Sequence, residues 1–166
     1  MINALLDVLA GLLGRRPPYL QVAALCLRGP QQAREVLVVS SLGTGRWILP
    51  KGWPMRGRSL AQAALREAWE EAGVKGKVSK RPVGRYTYLK EGGRGLPKRC
   101  EVRVFLIEVD KIEDHYPEAG RRKRRWVGPA EAAQMVAEPE LGRMFGVLEA
   151  NRSCSKPPNR LPRLPM

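Results

Sequence analysis

The hydrophobic pattern of this chain is a series of short apolar runs cut by turn residues, with one long stretch of helical period near its middle. Residues 21–28 (QVAALCLR) and 35–41 (EVLVVSS) are apolar runs parted by Gly29 and Pro30, which predicts two buried strands. Residues 47–49 add a third ahead of Pro50, and 75–80 and 85–89 read as two more. A flexible loop is expected at 91–97 (EGGRGLP), then a long strand at 98–109. Side chains two apart on a strand face the same way, so Arg99, Glu101 and Arg103 share one face and Val102, Val104 and Leu106 the other. Arg99 and Arg103 then form either a basic rail or a solvated edge. A polar loop over 111–120 leads to the basic run RRKRRW at 121–126, of which two or three side chains can point at any one site. A proline-started helix (PAEAAQMV) and a closing helix over 141–151 complete the series.

The central stretch, 50–74, reads PKGWPMRGRSLAQAALREAWEEAGV: a Gly-bearing loop and then a helix with Ser59 as N-cap and Gly73 as C-cap. At 100° per residue Ala61, Leu65, Ala68, Trp69 and Ala72 gather on one face, predicted to be core, and Glu67, Glu70 and Glu71 lie together on the other side. Like charges at these spacings destabilise a helix, so the cluster needs a counter-charge. Arg66, four residues before Glu70, is one candidate. A hard divalent cation, which prefers carboxylate oxygens completed by water and phosphate, is the other. A solvated acidic face is the plain alternative.

Composition narrows the class. A chain of 166 residues with 43% hydrophobic content fits one folded domain. Thirty Lys and Arg against sixteen Asp and Glu leave a net charge of +14, which favours a polyanionic partner: nucleic acid, anionic lipid or a highly phosphorylated small molecule. Cys26, Cys100 and Cys154 are odd in number and far apart, which fits reduced thiols in a cytoplasmic protein and no metal-ligand spacing. The lone His115 is expected at the surface. Residues 1–14 are apolar but include Asp7, lack a basic leading region and fall short of the roughly 20 residues of a membrane span, so they read as a short docked helix. The expected division is an N-terminal apolar segment at 1–18, a domain at 19–152 and a disordered basic tail at 153–166.

The order Gly52, five residues, Arg58, seven residues, then Arg-Glu-x-x-Glu-Glu-x-Gly-Val at 66–74 resembles the signature of the Nudix hydrolases, which usually carry a glutamate where this chain has Arg58. Beyond it, EVLVVSS, GRWILPKGW, REAWEEAGVKG and GRRKRRW are similar to the diphosphoinositol polyphosphate phosphohydrolases. The resemblance implies an α+β fold, the Nudix-type α/β/α sandwich with a mixed β-sheet. It also implies a pyrophosphohydrolase that uses Mg²⁺ or Mn²⁺ on a polyphosphorylated small molecule, a diphosphoinositol polyphosphate or a diadenosine polyphosphate. By position, Glu67 and Glu71 with the backbone around Lys51 and Gly52 would hold the metal. Glu70 would be the general base or a further ligand, Glu67 could exchange roles with it, and Glu118 and Glu101 are the next carboxylates. Ser41, Arg46, Lys51, Arg99 and members of the Arg122, Lys123, Arg124 group match phosphate-binding positions. Two alternatives stand beside this: action on the triphosphate end of RNA, and a degenerate Nudix module that binds nucleic acid without cleaving it. No RNP-like aromatic motif accompanies them.

Overall fold

The computed structural model describes residues 17–91 and 97–154. The N-terminal helix expected over 1–14, the centre of the 91–97 loop and the tail beyond 154 lie outside the described residues. In chain order the elements are β1 (Tyr19–Arg28), β2 (Glu35–Ser40), β3 (Trp47–Ile48), β4 (Lys51–Gly52), α1 (Leu60–Ala72), β5 (Val74–Val78), β6 (Gly84–Lys90), β7 (Lys98–Ile112), β8 (Arg124–Val127), α2 (Pro129–Met135) and α3 (Pro139–Cys154).

Among the described residues the strands form one mixed sheet with a spine of β3, β2, β1, β7 and β5, with β4 on β1, β6 on β7 and β8 on β2. Only the β1–β7 pair is parallel, with Gln21 beside Val102 and Ala23 beside Val104. That pair lies at the centre with helices on both sides, which is why residues 22–27 (VAALCL) are an unbroken apolar run and not an alternating one. Its Ala23, Leu25 and Leu27 join Val102, Val104, Leu141 and Phe145 beneath α2 and α3, and its Ala24 and Cys26 join Ala68, Ala72 and Ile107 beneath α1. The result is the helix–sheet–helix sandwich with a mixed sheet that the sequence pointed to. No helix among the described residues is long and apolar enough to cross a membrane.

Helix α1 begins and ends where its caps predict. The Ser59 side chain accepts from the Gln62 amide while the Gln62 side chain accepts from the Ser59 amide, and Gly73 stops the helix in the left-handed region at φ 69°. Its rotation differs from the sequence expectation. The buried positions are Ala61, Ala63, Ala64, Ala68, Glu71 and Ala72, so the contact face is shifted toward the carboxylates. Trp69, expected in the core, is only half-buried, with the Lys75 ammonium 4.9 Å from its ring centroid. Small alanines let the helix lie close on β1 and β7, and a large indole cannot enter so tight a seam. Strand β4, inside the stretch read as loop, pairs with β1 through Val22–Gly52 and Ala23–Lys51. It fixes the two residues that lead into the site.

Candidate functional site

Consecutive strand residues point to opposite faces, and β4 uses this at the edge of β1. Gly52 faces α1. A Cβ there would stand 2.0 Å from Glu67 Oε1, so only a glycine lets the Glu67 carboxylate lie on the strand. The Lys51 amide, also turned to α1, donates to Glu71 Oε2 at 3.2 Å, and the Lys51 ammonium reaches the other side of the sheet to donate to the Tyr88 hydroxyl at 3.1 Å. One residue thus joins an acidic site under α1 to a basic pocket between the β2–β3 turn and the end of β6.

On the acidic side, Glu71 is 5% exposed. Burial raises its carboxyl to about 7 against the pull of Arg122 and the Lys51 amide, with Glu67 and Glu118 adding to the rise. Glu67 is raised as well, by burial first and then by the charges of Glu70 and Glu118. Excess negative charge has therefore been gathered in a partly dry place. Glu70 accepts from Arg66 Nε, the pairing that their four-residue spacing allows. Glu118 comes into the cluster because its amide donates to the Glu70 carbonyl at 3.0 Å. Glu101 stands apart, beside Arg103 at 3.6 Å.

Arg122 sits inside this cluster, its side chain only 8% exposed. It donates to Glu71 Oε1 at 2.7 Å, to Glu118 and to the Ser40 carbonyl at 3.1 Å. Arg124 points to the C-terminal end of α1, where it donates to the Ala72 and Glu113 carbonyls at 2.9 Å and to Asp114 at 3.1 Å. Along the basic run Arg122 and Arg124 turn inward while Arg121, Lys123 and Arg125 are exposed, although only Arg124 and Arg125 lie on β8. Among the described residues no group of three His, Cys, Asp or Glu side chains is arranged to hold a metal ion.

The basic side is a cavity of about 640 Å³ lined by Ser41, Gly43, Thr44, Arg46, Lys51, Tyr88, Leu89, Lys90 and Glu91. The β2–β3 turn supplies the first of these. The Ser41 amide donates to the Arg46 carbonyl at 2.8 Å, and the Ser41 and Thr44 hydroxyls lie 2.8 Å apart. The Tyr88 hydroxyl donates to Gln21 Oε1 at 2.6 Å, and the Arg46 guanidinium lies 3.8 Å from the buried Glu138 carboxylate. Burial lowers the Lys51 ammonium and Lys90 adds to this, against the pull of Glu71. Of the phosphate positions named from the sequence, the structure brings Ser41, Arg46 and Lys51 together here. Arg99 is exposed on β7, on the face opposite Cys100, and lies outside the described lining. Arg58 is exposed in the turn closed by its amide on the Met55 carbonyl.

Sequence reasoning missed Gln21, Tyr88, Lys90 and Glu138. Gln21 carried a usable signal, being the one uncharged polar residue in its apolar run. The others carried none, because their placement depends on the pairing of β6 with β7 and on the packing of the α2–α3 connection.

Comparison with known proteins agrees with this layout. The NUDIX domain model matches residues 18–145. Nudix hydrolase 12, mitochondrial, of Arabidopsis thaliana is 33% identical over 104 residues, 61% of this chain and 51% of the relative. Human diphosphoinositol polyphosphate phosphohydrolase 3-beta is 32% identical over 117 residues, 70% of this chain and 68% of the relative. The matched stretch thus spans about half the length of the Arabidopsis relatives, at 51% and 52%. In fold, the chain resembles the crystal structure of C. elegans Ap4A hydrolase with a TM-score of 0.53 at 20% identity, over 83% of this chain and 98% of that one. With the domain model covering most of the chain and the glutamates of α1 set against Gly52 as the signature spacing demands, the chain belongs to the Nudix family.

Proposed function

We propose that this protein is a metal-dependent pyrophosphohydrolase that cleaves a pyrophosphate bond in a highly phosphorylated small molecule, a diphosphoinositol polyphosphate or a diadenosine polyphosphate. The observation that carries this reading is the junction at Lys51–Gly52: buried, mutually repelling carboxylates on one side, and on the other a 640 Å³ pocket with Arg46, Lys51 and Lys90 in its wall. The donor chemistry fits Mg²⁺ or Mn²⁺, since Glu67, Glu71 and Glu70 with the backbone around Lys51 and Gly52 offer hard oxygens, although the side chains do not stand as a ready three-ligand group among the described residues, and burial with mutual repulsion raises the carboxyls of Glu67 and Glu71. When bound, such an ion neutralises phosphate charge and makes a bound water more acidic.

The chain's own residues do the rest. Arg46 and Lys51 bind the phosphates, the guanidinium by a planar fork and the ammonium as a point charge. Glu70 takes the proton from the attacking water, and Arg66, bonded to it, holds the carboxylate ready. Arg122 keeps Glu71 and Glu118 in position, and Arg124 secures the end of the helix. The two buried free thiols, Cys26 and Cys100, support a reducing, cytoplasmic setting.

Phosphate release from purified protein with inositol pyrophosphates, diadenosine polyphosphates and triphosphorylated RNA, each with Mg²⁺ or Mn²⁺, tests the reading. Glu70→Gln is expected to lower turnover by about 10²-fold or more with the fold intact, and Glu67→Gln and Glu71→Gln to raise the Mg²⁺ concentration required. Near-normal turnover in Glu70→Gln moves the base to Glu118, and an unchanged metal requirement in both other variants removes the ligand assignment.

A further inference from the structure

The Glu138 carboxylate is buried behind the basic pocket and has no part in the chemistry proposed above. Glu138 is 7% exposed and joins α2 to α3, with Pro139 following it and its carbonyl accepting from the Gly142 amide at 3.0 Å in the first turn of α3. That helix start uses the backbone of residue 138, which leaves the charge of the side chain unexplained. A buried carboxylate costs stability unless it is paired. Among the described residues its ion-pair partner is Arg46, whose Nη1 lies 3.8 Å from Glu138 Oε1. Burial first, and then the Glu138 charge, hold the Tyr86 hydroxyl well above its ordinary range, so the field of this carboxylate extends past Arg46 to β6.

Arg46 differs from its partner in exposure. Its side chain is 48% exposed and lines the cavity together with Lys51 and Lys90. The guanidinium is therefore shared, with the buried carboxylate on one side and the cavity on the other. Glu91 stands in the same wall, so Glu91 and Glu138 offset much of the charge of Arg46, Lys51 and Lys90. A pocket built only for tight anion binding would have a neutral side chain at 138, since glutamine is the same size and adds no repulsion toward a phosphate. We propose that Glu138 is a counter-charge acting through Arg46, which limits how tightly the pocket holds phosphate and so lets a phosphorylated product leave. A ligand gains the full guanidinium fork only by drawing Arg46 away from Glu138, an exchange that favours an anion of high charge. The inference rests on reading the pocket as a phosphate site, and it makes Glu138 a positioning residue that does not touch the reacting atoms.

Calorimetric titration with inorganic tripolyphosphate in the presence of a chelator reads the basic pocket without a metal on the acidic side. Glu138→Gln keeps the size of the side chain and removes its charge, and Glu138→Met removes the polar head as well. Each is expected to bind tripolyphosphate about 10-fold more tightly than the unmodified protein does, with the fold intact by circular dichroism. Glu138→Asp retains the charge and should stay near the unmodified affinity. In an Arg46→Ala background the gain should all but vanish, which no merely structural role of Glu138 produces. Unchanged or weaker binding in Glu138→Gln and Glu138→Met, an equal gain in Glu138→Asp, or a gain of the same size without Arg46 overturns the counter-charge, and so does loss of folding in both neutral variants. Arg46→Ala alone tests the pocket. If it leaves tripolyphosphate affinity unchanged, the phosphate reading fails and this inference with it, whereas a loss there beside unchanged binding in Glu138→Gln removes the counter-charge only.

Discussion

Gly52 is required by what stands opposite it. Adding a methyl group there meets the far end of the Glu67 side chain at 2.0 Å, and that end can swing away at little cost to the fold. Gly52→Ala is therefore expected to keep the melting temperature close to that of the unmodified protein and to lower turnover at least 10-fold, since the displaced carboxylate is one the chemistry needs. Circular dichroism and phosphate release measured on the same preparation check this. Arg124 makes the opposite case. Matched by sequence to a phosphate-binding position, it spends its donors on the Ala72 and Glu113 carbonyls. Arg124→Ala removes the donor for those carbonyls, which costs about 1–3 kcal/mol. The expected outcome is a lower melting temperature with kcat/KM per folded molecule unchanged. A stable variant with weakened substrate binding would return Arg124 to the phosphate site.

At the scale of elements, the turn after α1 is held by a charge clasp between strands. Glu113 lies just past β7 and accepts from Lys75 of β5 at 3.0 Å, with Lys111 of β7 at 2.9 Å. Hydrogen bonds from Lys111 and then Lys75 pull the Glu113 carboxyl down to about 2. The folded value is depressed, so the clasp contributes fully above the ordinary carboxyl range near 4.5 and is lost as pH falls through about 2. The melting temperature of Glu113→Gln should thus lie below that of the unmodified protein at pH 6, and the two should converge toward pH 2. The gap stays small because exposed pairs are screened by solvent. A gap that widens on acidification would exclude the clasp. Gly73 closes the same corner, where a Cβ would stand 2.4 Å from the Glu113 carbonyl and the left-handed φ of 69° already disfavours any side chain.

Across the whole molecule, the question is where the +14 charge acts. A small polyphosphate meets Arg46, Lys51 and Lys90 inside one cavity, whereas an RNA end could draw on cations at 153–166, including Lys156, Arg160 and Arg163. Removing residues 153–166 is expected to leave kcat/KM almost unchanged, and Arg46→Ala to lower it by about 10-fold or more, the scale of a charge-assisted hydrogen bond to phosphate. If the truncation costs more than Arg46→Ala, and costs most at low salt where counterion release is strongest, RNA becomes the preferred substrate.

The sequence by itself determined the elements whose causes are local. Caps at Ser59 and Gly73 bound α1, apolar runs set β1 and β2, and the spacing from Gly52 to Glu71 marked the family signature, because propensity, capping and periodicity act within a few residues. Tertiary structure decided what depends on distant partners. It turned α1 so that Glu71 went inward and Trp69 stayed half out, since the alanine face packs more closely on β1 and β7 than an indole allows. It folded Glu118 and Arg122 back onto the helix from some fifty residues downstream, as the 51-residue separation of Arg122 from Glu71 records. It also assembled the Gln21, Tyr88 and Lys51 contacts from three strands. A helical wheel gives the relative angles of side chains but no origin, and that origin is supplied only by the surface against which the helix packs.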